Sequence, residues 1–211
     1  MTARGQFITL EGIEGAGKST HLETIRRLLA AQHHDVLVTR EPGGTETAER
    51  IRAILLDRRG VMDPETELLL MFAARAEHLK VRIQPALNQG TWVVCDRFTD
   101  STYAYQGGGR GFPMERIAAL ENHVQGAFRP DLTILFDVDV QTGLARAGNR
   151  GQADRFERES VAFFERVRKT FLDRAAQEPV RIRVVDASQP VETVEAALAG
   201  VLSRFCRQHD A

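Results

Sequence analysis

Residues 12–19 read "GIEGAGKS", a G-x-x-x-x-G-K-S run directly after the strand-like "QFITLE" (6–11) and directly before the helical spacing of Leu22, Ile25, Leu28 and Leu29. A strand that turns through glycines into a helix brings a row of backbone N–H groups and the positive helix end to one point, a cradle for phosphate oxygens. Gly12, Gly15 and Gly17 let the amides turn inward, and Ile13, Glu14 and Ala16 complete the loop. Lys18 can reach the terminal phosphates of a nucleotide, and the Ser19 hydroxyl suits the first coordination shell of Mg²⁺. Glu14 is the anomaly, a carboxylate in a loop built for anions.

The rest of the chain repeats the strand–helix alternation. "DVLVTR" (35–40), "TWVVCD" (91–96), "LTILFDV" (132–138) and "VRIRVVD" (180–186) are short, apolar and rich in β-branched residues. Between them lie helical patterns, among them Ile51, Ile54 and Leu55, "PETELLLMFAARAEHL", "VAFFERVRKTFLDRAA", and Val194, Leu198, Val201, Leu202 and Phe205. No repeat, low-complexity tract or linker interrupts the 211 residues, so the expectation is one α/β domain over 1–211: a five-stranded parallel sheet with helices on both faces, the three-layer fold of P-loop NTPases. Ligands of such a sheet bind beyond the carboxyl ends of its strands.

Charge then limits the partners. With 28 Lys+Arg against 29 Asp+Glu, the net charge of -1 argues against a global grip on nucleic acid or anionic membrane, so anion chemistry must be local. The longest apolar runs reach about half of the roughly 20 residues that span a bilayer, which predicts a cytoplasmic, membrane-free protein. Cys95 and Cys206 are far apart without metal-ligand spacing and read as buried, reduced thiols.

A phosphate loop alone leaves a switch GTPase, a motor or transport ATPase, and a small-molecule kinase open. The guanine-reading Asn-Lys-x-Asp is missing from the sequence, and an ATPase acting on a macromolecule usually carries more domain than this. Three further stretches supply cations for a phosphorylated acceptor. "TREPGGT" (39–45) puts Arg40 at the second strand's end; "CDRFTDSTYAYQGGGRG" (95–111) puts Asp96, Arg97, Thr102, Tyr105 and Gln106 after the third; "RAGNRGQADRFERES" (146–160) carries arginines at 146, 150, 155 and 158.

Together, "EGIEGAGKS", "TREPGGT", "DRFTDSTYAYQGGGRG", "FRPDLTILFDV" and the arginine-bearing segment closed by "DRFE" resemble the bacterial thymidylate kinase (dTMP kinase) family over essentially the whole chain and in family order. The resemblance implies a P-loop nucleoside monophosphate kinase, a homodimer in most members, that moves the γ-phosphoryl group of ATP to dTMP with Mg²⁺ as cofactor. It also accounts for Glu14, which in this family accepts a hydrogen bond from the deoxyribose 3′-hydroxyl, a role that an acceptor-only carboxylate suits. Arg40 and Arg97 match positions that hold the dTMP 5′-phosphate, while Thr102, Tyr105 and Gln106 match the thymine and sugar side, where a tyrosine could exclude a 2′-hydroxyl.

The stretch at about 146–158 resembles the family's lid over the donor. Since the loop holds no arginine, the resemblance assigns the catalytic arginine to the lid, with Arg150 the first choice, Arg146 on the donor as well, and Arg146 and Arg155 in reserve for catalysis. For the base, an aromatic residue four positions before a base-binding arginine is the family pattern. Arg75 matches the arginine, but four before it stands Met71 and three before it Phe72. Phe72 is the expected stacking residue, with Met71 as the alternative. A binding or regulatory module on the same fold is the competing class.

Overall fold

The computed structural model describes residues 4–57, 61–148 and 155–209. Five strands, β1 (Phe7–Glu11), β2 (Val36–Arg40), β3 (Trp92–Asp96), β4 (Leu132–Asp137) and β5 (Ile182–Asp186), form one sheet in the order β2-β3-β1-β4-β5. Every pairing is parallel. The five predicted runs are thus the five strands, each within two residues of its expected ends.

Side-chain alternation in the central strands makes the two faces. Ile8, Leu10 and Val94 enter the larger core with Ile25 and Leu29 of α1 (Lys18–Ala30), Phe164, Val167 and Phe171 of α8 (Val161–Gln177), and Leu198 and Leu202 of α9 (Val191–His209). Phe7, Val93 and Cys95 point the other way, onto Leu79, Ile83 and Leu87. Both faces of a parallel sheet need this cover. Cys95 and Cys206 are buried free thiols, as expected.

On the second face, α3 (Pro64–His78) runs through a π-helical turn, Leu79–Ile83, into the short α4 (Gln84–Asn88). After β3, α5 (Thr99–Thr102) continues into a second π-helical stretch, Tyr103–Gly109, which leads to α6 (Met114–Gln125). This stretch packs against α8 so closely that a Cβ on Gly108 would stand 2.1 Å from Thr170 Oγ1 and 3.0 Å from the Arg166 carbonyl. The glycine run "GGG" is thus a packing requirement, and it turns the preceding tyrosine and glutamine toward the strand ends.

Helix starts separate two uses of an N-terminus. Thr45 caps α2 (Glu46–Leu56), Asp63 caps α3 and Ser160 caps α8, each accepting backbone N–H groups through its side chain. α1 instead starts from left-handed Gly17, with no side-chain cap and no acidic residue in its first turn. Its N–H groups and positive dipole end stay free for an anion from outside the helix.

Candidate active site

The loop between β1 and α1 wraps around the Lys18 side chain. Lys18 Nζ donates to the carbonyls of Gly12 and Ile13, both at 3.0 Å, and is almost fully buried. Burial, with a smaller push from the Arg97 guanidinium, lowers its pKa to about 8. A phosphate would restore the charge by supplying what burial withholds. Gly15 has φ 70°, and a Cβ there would meet the Gly143 carbonyl of α7 (Val140–Gly148) at 1.8 Å, so only glycine fits.

Glu14 meets a cation from the neighbouring strand. Arg97, one residue beyond β3, donates to Glu14 Oε1 at 2.6 Å, to the Gly12 carbonyl at 2.9 Å and to Ser101 Oγ at 3.1 Å. Tyr105 Oη donates to the same Glu14 oxygen at 3.2 Å, and its ring lies under the Arg97 guanidinium at 4.9 Å. Burial opposes the charge on Arg97, but Glu14 and its other acidic neighbours outweigh it and raise its pKa. Arg97 adopts a left-handed backbone, φ 70°, unusual for a residue with a side chain. Buried Glu11 holds that turn by accepting from Phe98 N and from Ser101 Oγ; burial and then Asp100 push Glu11 up to about 7.

One cleft of about 240 Å³ opens beside this pair. Its walls bring together Glu14, Gly15–Ser19, Arg40, Arg75, Arg97, Thr102, Tyr105 and Gln106, so the predicted acceptor-side cations and polar groups converge. Arg40 reaches it from the end of β2, paired with Glu49 at 3.1 Å. Arg75 is buried on α3: its Nε donates to Glu41 Oε2 at 2.8 Å and its Nη2 to Thr102 Oγ1 at 3.0 Å, while its buried Nη1 has no hydrogen-bond partner. A buried polar atom without a protein partner is completed by a water, an ion or a ligand.

Phe72, the expected stacking residue, is not among the residues that line this cleft. Its ring is buried with Leu68, Tyr103 and Ile117, and Arg75 lies over it at 4.9 Å. Met71 lines the cleft instead. Adjacent helical residues differ by about 100° in direction, and here that difference turns Met71 to the cleft and Phe72 into the core. Phe98 supplies an aromatic wall, with Arg75 lying 5.0 Å over its ring.

A second groove lies across the loop. Arg146, in the last turn of α7, donates to the Ala187 carbonyl at 2.8 Å and lines it with Thr20, His21, Ser188 and Gln189. Both cavities share Gly15, Ala16 and Gly17. Arg150 lies outside the described residues, and Arg155 lines neither of these two cavities.

Sequence reasoning gave no role to Glu41, His78 and Asp96. Glu41 Oε1 accepts from His78 Nδ1 at 3.1 Å, and His78 Nε2 shares a hydrogen bond with Thr39 Oγ1 at 2.7 Å. The signal for Glu41 was its place beside Arg40 at a strand end; nothing linear joins it to His78. Asp96 ends β3 opposite Leu10, lines the first cleft, and keeps a buried Oδ1 without a hydrogen-bond partner.

The thymidylate kinase family profile matches residues 10–198, most of the chain and the whole of the loop and both cavities. The chain belongs to the thymidylate kinase family. It is 60% identical over 208 residues to the thymidylate kinase of Alkalilimnicola ehrlichii, covering 96% of each chain. With that of Pseudomonas entomophila it shares 59% over 208 residues, 96% of this chain and 99% of the other. The crystal structure of thymidylate kinase from Ehrlichia chaffeensis superposes with a TM-score of 0.76 at 35% identity, over 95% of this chain and 99% of that one. Family membership and the five-stranded parallel α/β fold therefore agree.

Proposed function

We propose that this chain transfers the γ-phosphoryl group of ATP to dTMP, giving ADP and dTDP on the route to dTTP for DNA synthesis. The observation that carries the reading is the pair of cavities meeting at Gly15–Gly17. A kinase for a phosphorylated acceptor needs two anionic ligands brought end to end at one loop, and this arrangement offers a place for each. Membership of the thymidylate kinase family supports the choice of acceptor.

In this reading ATP occupies the groove of Arg146 and His21 with its phosphates on residues 12–19, and dTMP occupies the cleft of Arg40, Arg75 and Arg97. An oxygen of the dTMP phosphate attacks the γ-phosphorus in line, so no protein nucleophile is required. Lys18 neutralises the terminal donor phosphates, while Arg97 and Arg40 hold the acceptor phosphate and offset the repulsion between the two anions. Arg97 also shields Glu14 from those phosphates, leaving the carboxylate to accept from the sugar 3′-hydroxyl. Arg75 donates to the pyrimidine 4-carbonyl, Gln106 and Thr102 complete the polar wall, and Met71 and Phe98 give the 5-methyl group an apolar one. Tyr105, fixed by Glu14, crowds the position of a ribose 2′-hydroxyl. Arg150 is the lid arginine assigned to the transferring group.

The residues present fit Mg²⁺. Ser19 offers a hydroxyl at the helix start, and the unmatched Asp96 Oδ1 offers a carboxylate at the adjacent strand end, which with phosphates and waters is the sparse donor set Mg²⁺ prefers. Bound there, Mg²⁺ would neutralise charge on the β- and γ-phosphates. A homodimer and a cytoplasmic location complete the proposal; among the described residues no helix is long and apolar enough to cross a membrane.

The test is ADP release with ATP and Mg²⁺ across a panel of nucleoside monophosphates, with the diphosphate identified by chromatography. Selective turnover of dTMP is the expected result. Preference for another monophosphate would overturn the acceptor assignment, and no acceptor-dependent turnover would overturn the kinase reading.

A further inference from the structure

Glu67 lies on α3 one turn before Met71 and is fully buried, yet it lines neither cavity. A buried carboxylate carries a desolvation penalty of several kcal/mol and persists only when paired and hydrogen-bonded. Its partners come from two separate segments. Gln106 Nε2 donates to Oε1 at 2.7 Å, Arg110 Nη2 donates to Oε2 at 3.3 Å, and Arg155 Nη2 stands 2.6 Å from Oε2 as an ion pair. Arg155 Nε donates to the Leu55 carbonyl at the end of α2, at 2.9 Å, and Arg110 is also paired with Glu159. Two carboxylates and two guanidiniums therefore close a neutral cluster between α2, α3, the π-helical stretch and residues 155–159.

This cluster ends at the acceptor cleft. Phe156 follows Arg155, is buried under its guanidinium at 4.6 Å, meets the Tyr105 ring edge-on at 6.0 Å and lines the cleft. Gln106, which donates to Glu67, lines it too. We propose that Glu67 and Arg155 are positioning residues for the acceptor nucleotide: their ion pair clamps residues 155–159 onto α3 and so fixes Phe156 and Gln106 in the wall of the cleft. The inference rests on the acceptor assignment above. It removes Arg155 from the reserve of catalytic cations, because its contacts face a buried carboxylate and a helix carbonyl.

The test compares Arg155→Met, Arg155→Lys, Glu67→Gln and the double Glu67→Gln/Arg155→Met variant. Calorimetric dTMP and ATP affinities, kcat and Tm are measured on each full-length protein. Arg155→Met leaves Glu67 paired with Arg110, so the fold survives even where Glu67→Gln does not. Expected are about tenfold weaker dTMP binding in Arg155→Met, ATP affinity within about twofold, recovery of most of the loss in Arg155→Lys, and a double variant no weaker than the weaker single one. A fall in Tm with unchanged dTMP affinity would reduce the pair to a strut and overturn the proposal, as would a larger loss for ATP than for dTMP. If wild type binds another monophosphate instead, the acceptor assignment fails and the same titrations with that ligand judge the clamp. A wild type that binds no monophosphate overturns both.

Discussion

Replacing Glu41 by glutamine probes the part of the site to which the proposal assigns base recognition. Glu41 and Arg75 form an ion pair at 2.8 Å with side chains only 4% and 2% exposed, and Arg75 is held between the rings of Phe72 and Phe98. Breaking a buried pair from one side leaves a buried charge and costs about 3–5 kcal/mol. For a chain of this size each kcal/mol moves Tm by about 2–4 °C, so Glu41→Gln should lower Tm by roughly 6–20 °C. The same change frees the guanidinium from the orientation in which it forms part of the cleft wall. One charge-assisted hydrogen bond is worth about 1.5–3 kcal/mol, which translates into roughly 10- to 150-fold weaker dTMP binding, with ATP affinity unchanged. The double variant Glu41→Leu/Arg75→Met separates the two effects: apolar replacement of a buried pair is close to neutral, so Tm should recover in part, short of wild type because buried His78 loses its acceptor, while dTMP affinity stays lost. Thermal unfolding and calorimetric titration of the three proteins check this. A double variant that regains dTMP affinity, or one no more stable than Glu41→Gln, would refute the reasoning.

Lys18 predicts a pH effect: in the free protein its pKa is lowered to about 8, so kcat/KM for ATP should fall as pH rises through about 8, while kcat, measured with phosphates bound, holds to higher pH. The stability effect has the opposite sense, because between about 8 and the ordinary value of 10.5 the unfolded chain binds more protons at Lys18 than the folded one, and stability from this group rises with pH; a pH series of Tm on wild type and Lys18→Met reads both the sign and the window. Gly108→Ala should destabilise by about 1–3 kcal/mol, since the new methyl group would stand 2.1 Å from Thr170 Oγ1, and the double variant with Thr170→Ala should recover part of the loss in thermal unfolding. Asp96→Asn should raise the Mg²⁺ concentration for half-maximal turnover by at least about tenfold while leaving metal-free nucleotide binding intact, measured by Mg²⁺ titration of the rate.

The phosphate loop and the strand–helix alternation were legible because both are local. A glycine turn between a strand and a helix is encoded in consecutive residues, and buried parallel strands announce themselves as short apolar runs. Parallel sheets place ligands beyond the carboxyl ends of their strands, so Arg40 and Arg97 could be expected at one edge from the sequence, whereas the order β2-β3-β1-β4-β5 came only with the fold. The question posed by Glu14 needed the third dimension: its partner Arg97 is 83 positions away, at the end of the neighbouring strand.

Sequence by itself therefore determined the fold class, the phosphate loop and the cationic character of the site, since backbone propensity, side-chain period and loop chemistry act over a few residues. Tertiary structure alone decided which side of α3 faces the cleft, giving the wall to Met71 and withdrawing Phe72 into the core beneath Arg75. It alone decided that Glu41, His78 and Thr39 hold Arg75 in place, and that Glu67 ties α3 to Arg155. The physical reason is the same in each case. A helix can turn either of two neighbouring side chains to a cavity until packing fixes its rotation, and a buried charge finds its counter-charge through the fold rather than along the chain.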